Sequence, residues 1–435
     1  MKKINVQVKE KLSKDKLKIL IVGGGGREHA IAKALHASPR CGELLAAPGN
    51  AGIAKLARCF DCSATDLKGQ VDLALNEAVD LVIVAPDDPL AMGLCDRLWT
   101  VGIPAFGPSA RAARIEASKH FAKEIMSRAE VPTAAYHRFV NPEQALAAIE
   151  EADFPLVVKA DGLALGKGVI ICQDAESAKK AVQDLMCTKV FGEAGAEVLF
   201  EEFIEGPELT VLALSDGKTV KLLPTSRDHK RAFDSNQGPN TGGMGAISPV
   251  PELSPELLAE IEEKIVKATL AELERSACPF KGVLYCGLIL SEKGPQVIEF
   301  NARFGDPEAQ AVIPLIESDF LELILAVVKE ELAEFELKLK DQASAVVVLA
   351  SGGYPGEYEK GKEITGLDSK DSDSVFVYHC GTRKEGERYL TNGGRVLAIS
   401  AQAETLDKAL DLAYAKAESI NFEAVHYRRD IGRCE

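Results

Sequence analysis

No apolar run in this chain approaches the ~18 residues that span a bilayer, so no membrane-crossing helix is expected. Positive charge is short as well: 51 Lys and Arg stand against 66 Asp and Glu, a formal net charge of -15. Such a chain repels nucleic acid and anionic membranes overall, leaving room only for a local basic pocket around a phosphate. The ten cysteines are scattered, and the C-x-x-C of Cys59 and Cys62 has no second pair at zinc-site spacing. The lysine-rich start, residues 1–17, lacks the apolar core of a secretory signal and reads as a solvated extension. Reduced thiols in a cytoplasmic protein are therefore expected. No fixed-period repeat and no low-complexity tract is present.

Two nucleotide signatures are missing in their strict forms. In VVKADGLALGKGV (157–169), Gly162 and Gly166 enclose three residues, and Gly168 follows Lys167 where a P-loop has Ser or Thr. In LKILIVGGGGREHAIAKAL, Glu28 or His29 stands where a dinucleotide fingerprint needs its third glycine, which argues against NAD.

What is present is a chain of 435 residues, 46% hydrophobic and 27% charged, enough for about three domains at ~100–200 residues each. The pattern predicts an α/β and α+β multidomain protein. An apolar strand at 17–22 runs through glycines into a helix, an arrangement that aims bare N–H groups at an anion. With VDLVIVAP (79–86) and IPAFGP (103–108) it forms a parallel α/β domain over 18–115, with the turn-rich APGNAG (47–52) at a strand end. A helix is expected from Arg111 to Ala129, with Lys119 and Lys123 on it; lone helical lysines are usually solvated. Short strands then recur at 154–160, 168–172, 197–204, 207–214, 219–224, 282–290 and 295–301, largely antiparallel, in a middle domain over 116–322. A smaller mixed domain follows over 323–435.

The chemistry concentrates in the middle. Lys159 ends an apolar strand and Lys167 sits in the glycine loop, two cations suited to a triphosphate. EVLFEEFIEGPELTVLAL (197–214) offers an apolar slot with carboxylates. In PQVIEFNARFGDPEAQ (295–310), Glu299 and Asn301 alternate with apolar residues and project from one strand face. They are oxygen ligands about 7 Å apart, suited to Mg²⁺ that also holds phosphate. Arg303 shares that face if the strand continues. The polar, glycine-rich 226–249 is a binding loop, in which His229 is open to two readings, a base or a structural member of a charged cluster.

KADGLALGKGV, EEFIEGPE, VIEFNARFGDPE and DHKR…GPNTGGMGA, with GGGGREHA, APGNAG, SGGYPG, TNGGRVL and RRDIG, span residues 18–432. Together they resemble the phosphoribosylamine–glycine ligase family of the ATP-grasp superfamily. The resemblance implies an N-terminal domain on the phosphoribosylamine side, a central ATP-grasp domain and a C-terminal domain. It implies ligation of glycine to 5-phosphoribosylamine through glycyl phosphate in purine biosynthesis, with ATP and Mg²⁺ or Mn²⁺. It places Lys119, Lys159, Gly162, Gly166, Lys167 and Gly168 on the phosphates, Glu201, Glu202 and Phe203 beside adenine, and Glu208 on the ribose. Glu299 and Asn301 would hold the metal. Arg303, Lys167 and Asp228 would be catalytic. Lys230, Asn240, Thr241, Gly243 and Asp306 would line the glycine side, and Gly25, Gly26, Arg27 and Asn50 the phosphoribosylamine side. A monomer, with handover of the amine from the preceding enzyme, is the expected setting. Ala85 and Asp87 depart from the family's Gly-Pro-Glu, Arg227 from its Gln and Ile247 from its Tyr.

Overall fold

The computed structural model describes residues 6–164, 168–367 and 374–433. Gly166 and Lys167, on which the phosphate-loop expectation partly rests, lie outside the described residues.

The N-terminal sheet is parallel. Its strand order is Arg58–Cys59, Cys41–Pro48, Leu17–Gly23, Leu81–Val84, Ala105–Phe106. Its central strand reads LKILIVG and is buried almost throughout, as a strand covered on both faces must be. The chain order reverses on either side of Leu17–Gly23, and the glycine turn lies at that switch, where such sheets bind ligands. A Cβ on Gly24 would overlap the Gly49 carbonyl, so glycine lets the two loops meet. The start of the chain corrects the expectation of a wholly solvated extension. Val6–Lys11 is a helix, and the Leu12 side chain after it is fully buried in the core.

The expected helix 111–129 is two helices, Ala110–Ala117 and Lys119–Arg128. Ser118, in an extended conformation, ends one and caps the other by accepting from the Phe121 N–H. Asp161 holds the break by accepting from the His120 N–H at 2.6 Å. Periodicity runs through such a break because both helices keep an apolar face on one core.

Two antiparallel sheets form the middle. One orders Tyr136–Phe139, Val198–Glu202, Leu156–Ala160, Val169–Cys172; the other Val220–Leu222, Glu208–Ser215, Gly282–Ser291, Gly294–Asn301. A third antiparallel sheet crosses the expected domain boundary. Arg227–Asp228 and Gly245–Ser248 join Ala343–Ala350, Arg395–Ala403 and Val375–His379. The polar loop 226–249 is thus built into the C-terminal sheet, which the helix Leu406–Glu418 covers.

Two buried histidines join the first and last domains. The His379 N–H donates to His29 Nδ1 at 2.9 Å. Burial keeps both neutral, with His379 pushed down to about 3 and His29 well below its usual value. Unfolded histidine takes its proton near 6.5, so below that pH the unfolded chain binds more protons and stability falls. The slope approaches about 1.4 kcal/mol per pH unit for each histidine. Urea midpoints taken from pH 7.5 to 4.5 are expected to drop with that slope, and His379→Gln to flatten it. A midpoint level down to pH 4.5 would refute this account.

Candidate active site

One cleft of about 1570 Å³ runs between the two middle sheets and is bounded by residues of the first and last domains. At its nucleotide end, Lys159 closes the strand Leu156–Ala160. Its neighbour Val157 pairs with Glu201, so Lys159 and Glu201 lie diagonally on one face. Lys159 Nζ donates to Glu201 Oε2 at 2.9 Å and to the Ile298 carbonyl at 2.9 Å. Lys123 reaches the same oxygen at 3.0 Å, and also Thr133 Oγ1 and the Ala134 carbonyl. Its side chain is only 2% exposed. The reading of Lys123 as a solvated lysine is therefore corrected. Burial pushes it down to about 8, opposed by Glu201. The Glu201 carboxylate bridges these two buried lysines, and the residue lines the cleft. Glu202, next along the strand, is exposed and lines the cleft. Phe203 stays in the cleft with Val157, Ile171, Leu290 and Ile298, an apolar wall of the kind a base needs. Lys119 Nζ donates to the Gly162 carbonyl at 3.1 Å, and Gly168 lies beyond on the cleft wall.

Glu299 and Asn301 share a face of Gly294–Asn301, with the buried Phe300 between them pointing the other way. The register slips before Glu299, and the extra residue, Ile298, presents the carbonyl that Lys159 uses. Gly287 faces Glu299 across the ladder, and a Cβ there would crowd its side chain at 3.1 Å. Desolvation would raise the Glu299 carboxyl, but Lys230, Lys159, Lys119 and Arg303 outweigh it and hold it below the usual range. Among the described residues no cluster of three or more His, Cys, Asp or Glu could hold a metal alone. Two hard oxygen donors ringed by cations fit a Mg²⁺-type ion that takes its other ligands from phosphate and water.

Beyond the metal face the charges interlock. Lys230 Nζ lies 2.8 Å from Glu208, 3.9 Å from Glu299 and 4.0 Å from Asp228. Glu208 therefore meets a lysine from the expected glycine side. Asp228 Oδ1 is buried without a hydrogen-bond partner, and burial holds that carboxyl well above its usual range against the pull of Lys230. Arg303 continues the face past the strand end. Its Nη2 lies 3.3 Å from Asn301 Oδ1, 2.7 Å from Glu116 Oε1 and 3.8 Å from Asp87 Oδ2. Glu116 also accepts from the Ala302 N–H at 2.8 Å, and burial raises it to about 7 against the pull of Arg303. Asp87, one of the family departures, is desolvated yet held below its usual range by Arg303 and Arg27. Ala85, near it, is buried, and the remaining two departures, Arg227 and Ile247, are cross-strand partners, the Arg227 Nε donating to the Glu208 carbonyl at 2.9 Å.

The glycine-rich turn 240–243 borders the same space. Thr241 Oγ1 donates to the Lys230 carbonyl and accepts from the Gly243 N–H. Gly243 has φ +109° and lies against Pro307, where a side chain is excluded. Asn240 lines the cleft beside it. Arg395 donates to the Gly242 carbonyl at 2.6 Å and pairs with Asp306 at 3.4 Å, while Tyr354 Oη accepts from the Gly242 N–H. In the first domain, two amides of the expected anion site already have carboxylate partners. The Gly25 N–H donates to Glu28 at 2.6 Å and the Arg27 N–H to Asp306 at 3.4 Å. Arg27 lines the cleft with Asp87, its Nε on Glu28. Gly26 is buried at the start of the helix Gly26–His36. Asn50 ties its loop to two others: Nδ2 donates to the Gly24 and His379 carbonyls, while Oδ1 accepts from the Gly52 and Ile53 N–H groups.

Sequence reasoning missed Lys123, Glu116, Arg395 and Tyr354. Arg395 and Tyr354 stand inside TNGGRVL and SGGYPG, so their motifs were visible though their roles were not. Nothing in the local pattern around Lys123 or Glu116 separates them from solvated helix residues.

Comparison with known proteins agrees along the whole length. The phosphoribosylglycinamide synthetase N domain matches residues 17–116, its ATP-grasp (A) domain 117–309 and its C domain 344–434. The chain is 45% identical over 415 residues to a phosphoribosylamine–glycine ligase of Caldanaerobacter subterraneus subsp. tengcongensis, covering 95% of this chain and 99% of that one. It is 46% identical to the enzyme of that name from Caulobacter vibrioides, covering 96% and 98%. A trifunctional purine biosynthetic protein adenosine-3 of Gallus gallus is 45% identical, with 95% of this chain matching 42% of that longer protein. The crystal structure of the Thermotoga maritima phosphoribosylamine–glycine ligase superposes with TM-score 0.83 at 32% identity, covering 95% and 100%. A biotin carboxylase domain from Hydrogenobacter thermophilus, at 18% identity and TM-score 0.76, shares the fold. With three domain matches in order and full-length relatives well above 40% identity, the chain belongs to the phosphoribosylglycinamide synthetase family.

Proposed function

We propose that this cleft joins glycine to 5-phosphoribosylamine at the expense of ATP, forming glycinamide ribonucleotide, ADP and phosphate, by way of glycyl phosphate. The observation that carries the reading is the meeting of Glu299, Asn301 and Arg303 with Lys159, Lys119 and the 228–243 loop in one cleft. A carboxylate oxygen of glycine attacks the γ-phosphorus and ADP leaves. The amine of phosphoribosylamine then attacks the acyl carbon, phosphate leaves, and the nitrogen gives up a proton. Neither step asks for much covalent chemistry from the protein, so positioning and charge carry the rate.

Lys119 and Lys159 bind the triphosphate from the sheet side, and Gly162, Gly166, Lys167 and Gly168 form the loop assigned to cover it. Phe203 and its apolar neighbours take the adenine. Glu208 lies at the ribose edge. Glu299 and Asn301 would hold Mg²⁺ or Mn²⁺, which supplies charge neutralisation on the phosphates. Arg303 stabilises the charge of the transferring phosphoryl group. Asp228, whose Oδ1 has no hydrogen-bond partner and lies 4.0 Å from Lys230, is placed to accept the proton that the amine releases. Lys230, Asn240, Thr241, Gly243 and Asp306 face glycine, while Arg27 with Gly25, Gly26 and Asn50 shapes the phosphoribosylamine end. No helix of the described residues is long and apolar enough to cross a membrane. We assign the enzyme to the cytoplasm, as a monomer that takes its unstable amine directly from the enzyme that makes it.

The test is ADP release from ATP and Mg²⁺ with glycine, with and without freshly prepared phosphoribosylamine, the product being identified by mass. Release that needs both substrates and yields glycinamide ribonucleotide is expected. Turnover with a different carboxylate and none with glycine would discard the substrate assignment.

A further inference from the structure

The segment after the last helix lies along the loop that carries Asp228 and Lys230. His426 Nε2 is 2.7 Å from the Ala232 carbonyl oxygen. Arg428, 0% exposed, donates to the Arg231 carbonyl at 3.2 Å and to both oxygens of Asp430 at 2.8 and 3.0 Å. Asp430 in turn accepts from the Ser235 N–H at 2.7 Å, and the Arg429 N–H donates to Asp234 at 2.8 Å. Ile431 is buried against Met244 and Ile247, and the Gly432 N–H donates to His229 Nε2 at 3.0 Å.

The hairpin under this segment has little to hold it by itself. Its two strands, Arg231–Phe233 and Gln237–Asn240, share only the register pairs Arg231↔Asn240 and Phe233↔Gln237, and its tip is exposed. An isolated two-stranded hairpin is marginal in water. A buried guanidinium, by contrast, must have its donors satisfied, and here the hairpin backbone and Asp430 satisfy them. The last bond also fixes His229: with Nε2 accepting, a neutral ring carries its proton on Nδ1, so this histidine serves structure and not base catalysis.

We propose that residues 428–432 are a strap that positions the substrate loop, with Arg428 and Asp430 as positioning residues that touch no substrate. They set Asp228, Lys230 and Thr241 against Glu299, while at the nucleotide end only Glu208 meets the loop, through Lys230 and Arg227, and the phosphate-side lysines stand on other elements. The inference rests on the reading of residues 228–243 as the glycine side of the cleft.

Full-length Arg428→Lys and Asp430→Asn test it, the second being the milder because the Asp430 side chain is 21% exposed. Hydrogen exchange of the 230–243 amides is expected to quicken in both, with the strands at 156–160 and 198–202 unchanged. The KM for glycine is expected to rise about tenfold or more with a fall in kcat, as misplacement of a reacting group by about 1 Å produces. ADP affinity, measured by calorimetry, should fall at least about threefold less than glycine affinity, since Lys159, Lys123 and Lys119 keep their own supports and only Glu208 meets the loop, through Lys230 and Arg227. Unchanged exchange, or ADP affinity falling in step with glycine, would overturn the strap. Faster exchange at an unaltered glycine KM would overturn the positioning role. If the parent enzyme does not use glycine at all, the functional reading falls, and the exchange data still decide whether the strap exists.

Discussion

Glu299→Gln is expected to lower kcat by about 10²–10³-fold while the protein folds normally, the scale seen when one preorganised charge contact is removed from a reacting centre. The carboxylate stands on a strand whose other face is core, so the isosteric amide keeps the packing of Phe300 and the room left by Gly287. What it loses is the negative charge that Lys230, Lys159, Lys119 and Arg303 hold ionised. Without it, four cations surround a neutral amide oxygen, and the metal loses its charged protein ligand. The decisive measurement is kcat as a function of Mg²⁺ concentration. A half-saturating Mg²⁺ concentration shifted upward, together with a low kcat, supports the assignment. Activity within a few-fold of the parent would remove Glu299 from the metal site.

Glu201→Gln is expected to act on stability before activity. Lys159 and Lys123 converge on one carboxylate oxygen, and all three side chains are less than a tenth exposed. Removing one member of a buried ion pair leaves an uncompensated charge and costs about 3–5 kcal/mol. The sign of the pH dependence follows. In the variant, Lys123, already pushed down to about 8 by burial, loses its counter-charge and stays charged only against desolvation, so its folded pKa lies below the unfolded value near 10.4. The unfolded chain then binds more protons, and the deficit shrinks as pH rises from 7 towards 10. Denaturant midpoints of parent and variant at pH 7 and 9.5 settle the point. Equal midpoints at pH 7 would mean that Glu201 carries no bridging charge. ATP binding is expected to weaken as well, because Lys159 is aimed by this pair and by the Ile298 carbonyl.

The strands of the middle region could be read directly, since each alternates or runs apolar between turn residues. Leu156–Ala160, Val198–Glu202, Glu208–Ser215, Gly282–Ser291 and Gly294–Asn301 fall within a few residues of their expected bounds. Glu299 and Asn301 on one face also followed from the period of two. The break at Ser118 did not follow, because it depends on Asp161, which arrives from forty-three residues away. Lys123 looked like any helical lysine, because its counter-charge sits on a strand that no local pattern connects to it.

The sequence by itself determined the parallel first domain, the antiparallel middle, and the residue types assigned to phosphate and metal. These rest on local periodicity and on motifs whose chemistry needs only spacing. The tertiary structure alone decided which charges face each other. Glu201 became a bridge between lysines, Glu116 a clamp on Arg303, and Asn50 a tie between its loop and the C-terminal sheet. It also decided that the loop 226–249 belongs to the C-terminal sheet and is held by the last residues of the described chain. The reason is physical. A buried charge or donor must find its partner somewhere in space, and that partner is chosen by the packing of distant segments, which no short stretch of sequence encodes.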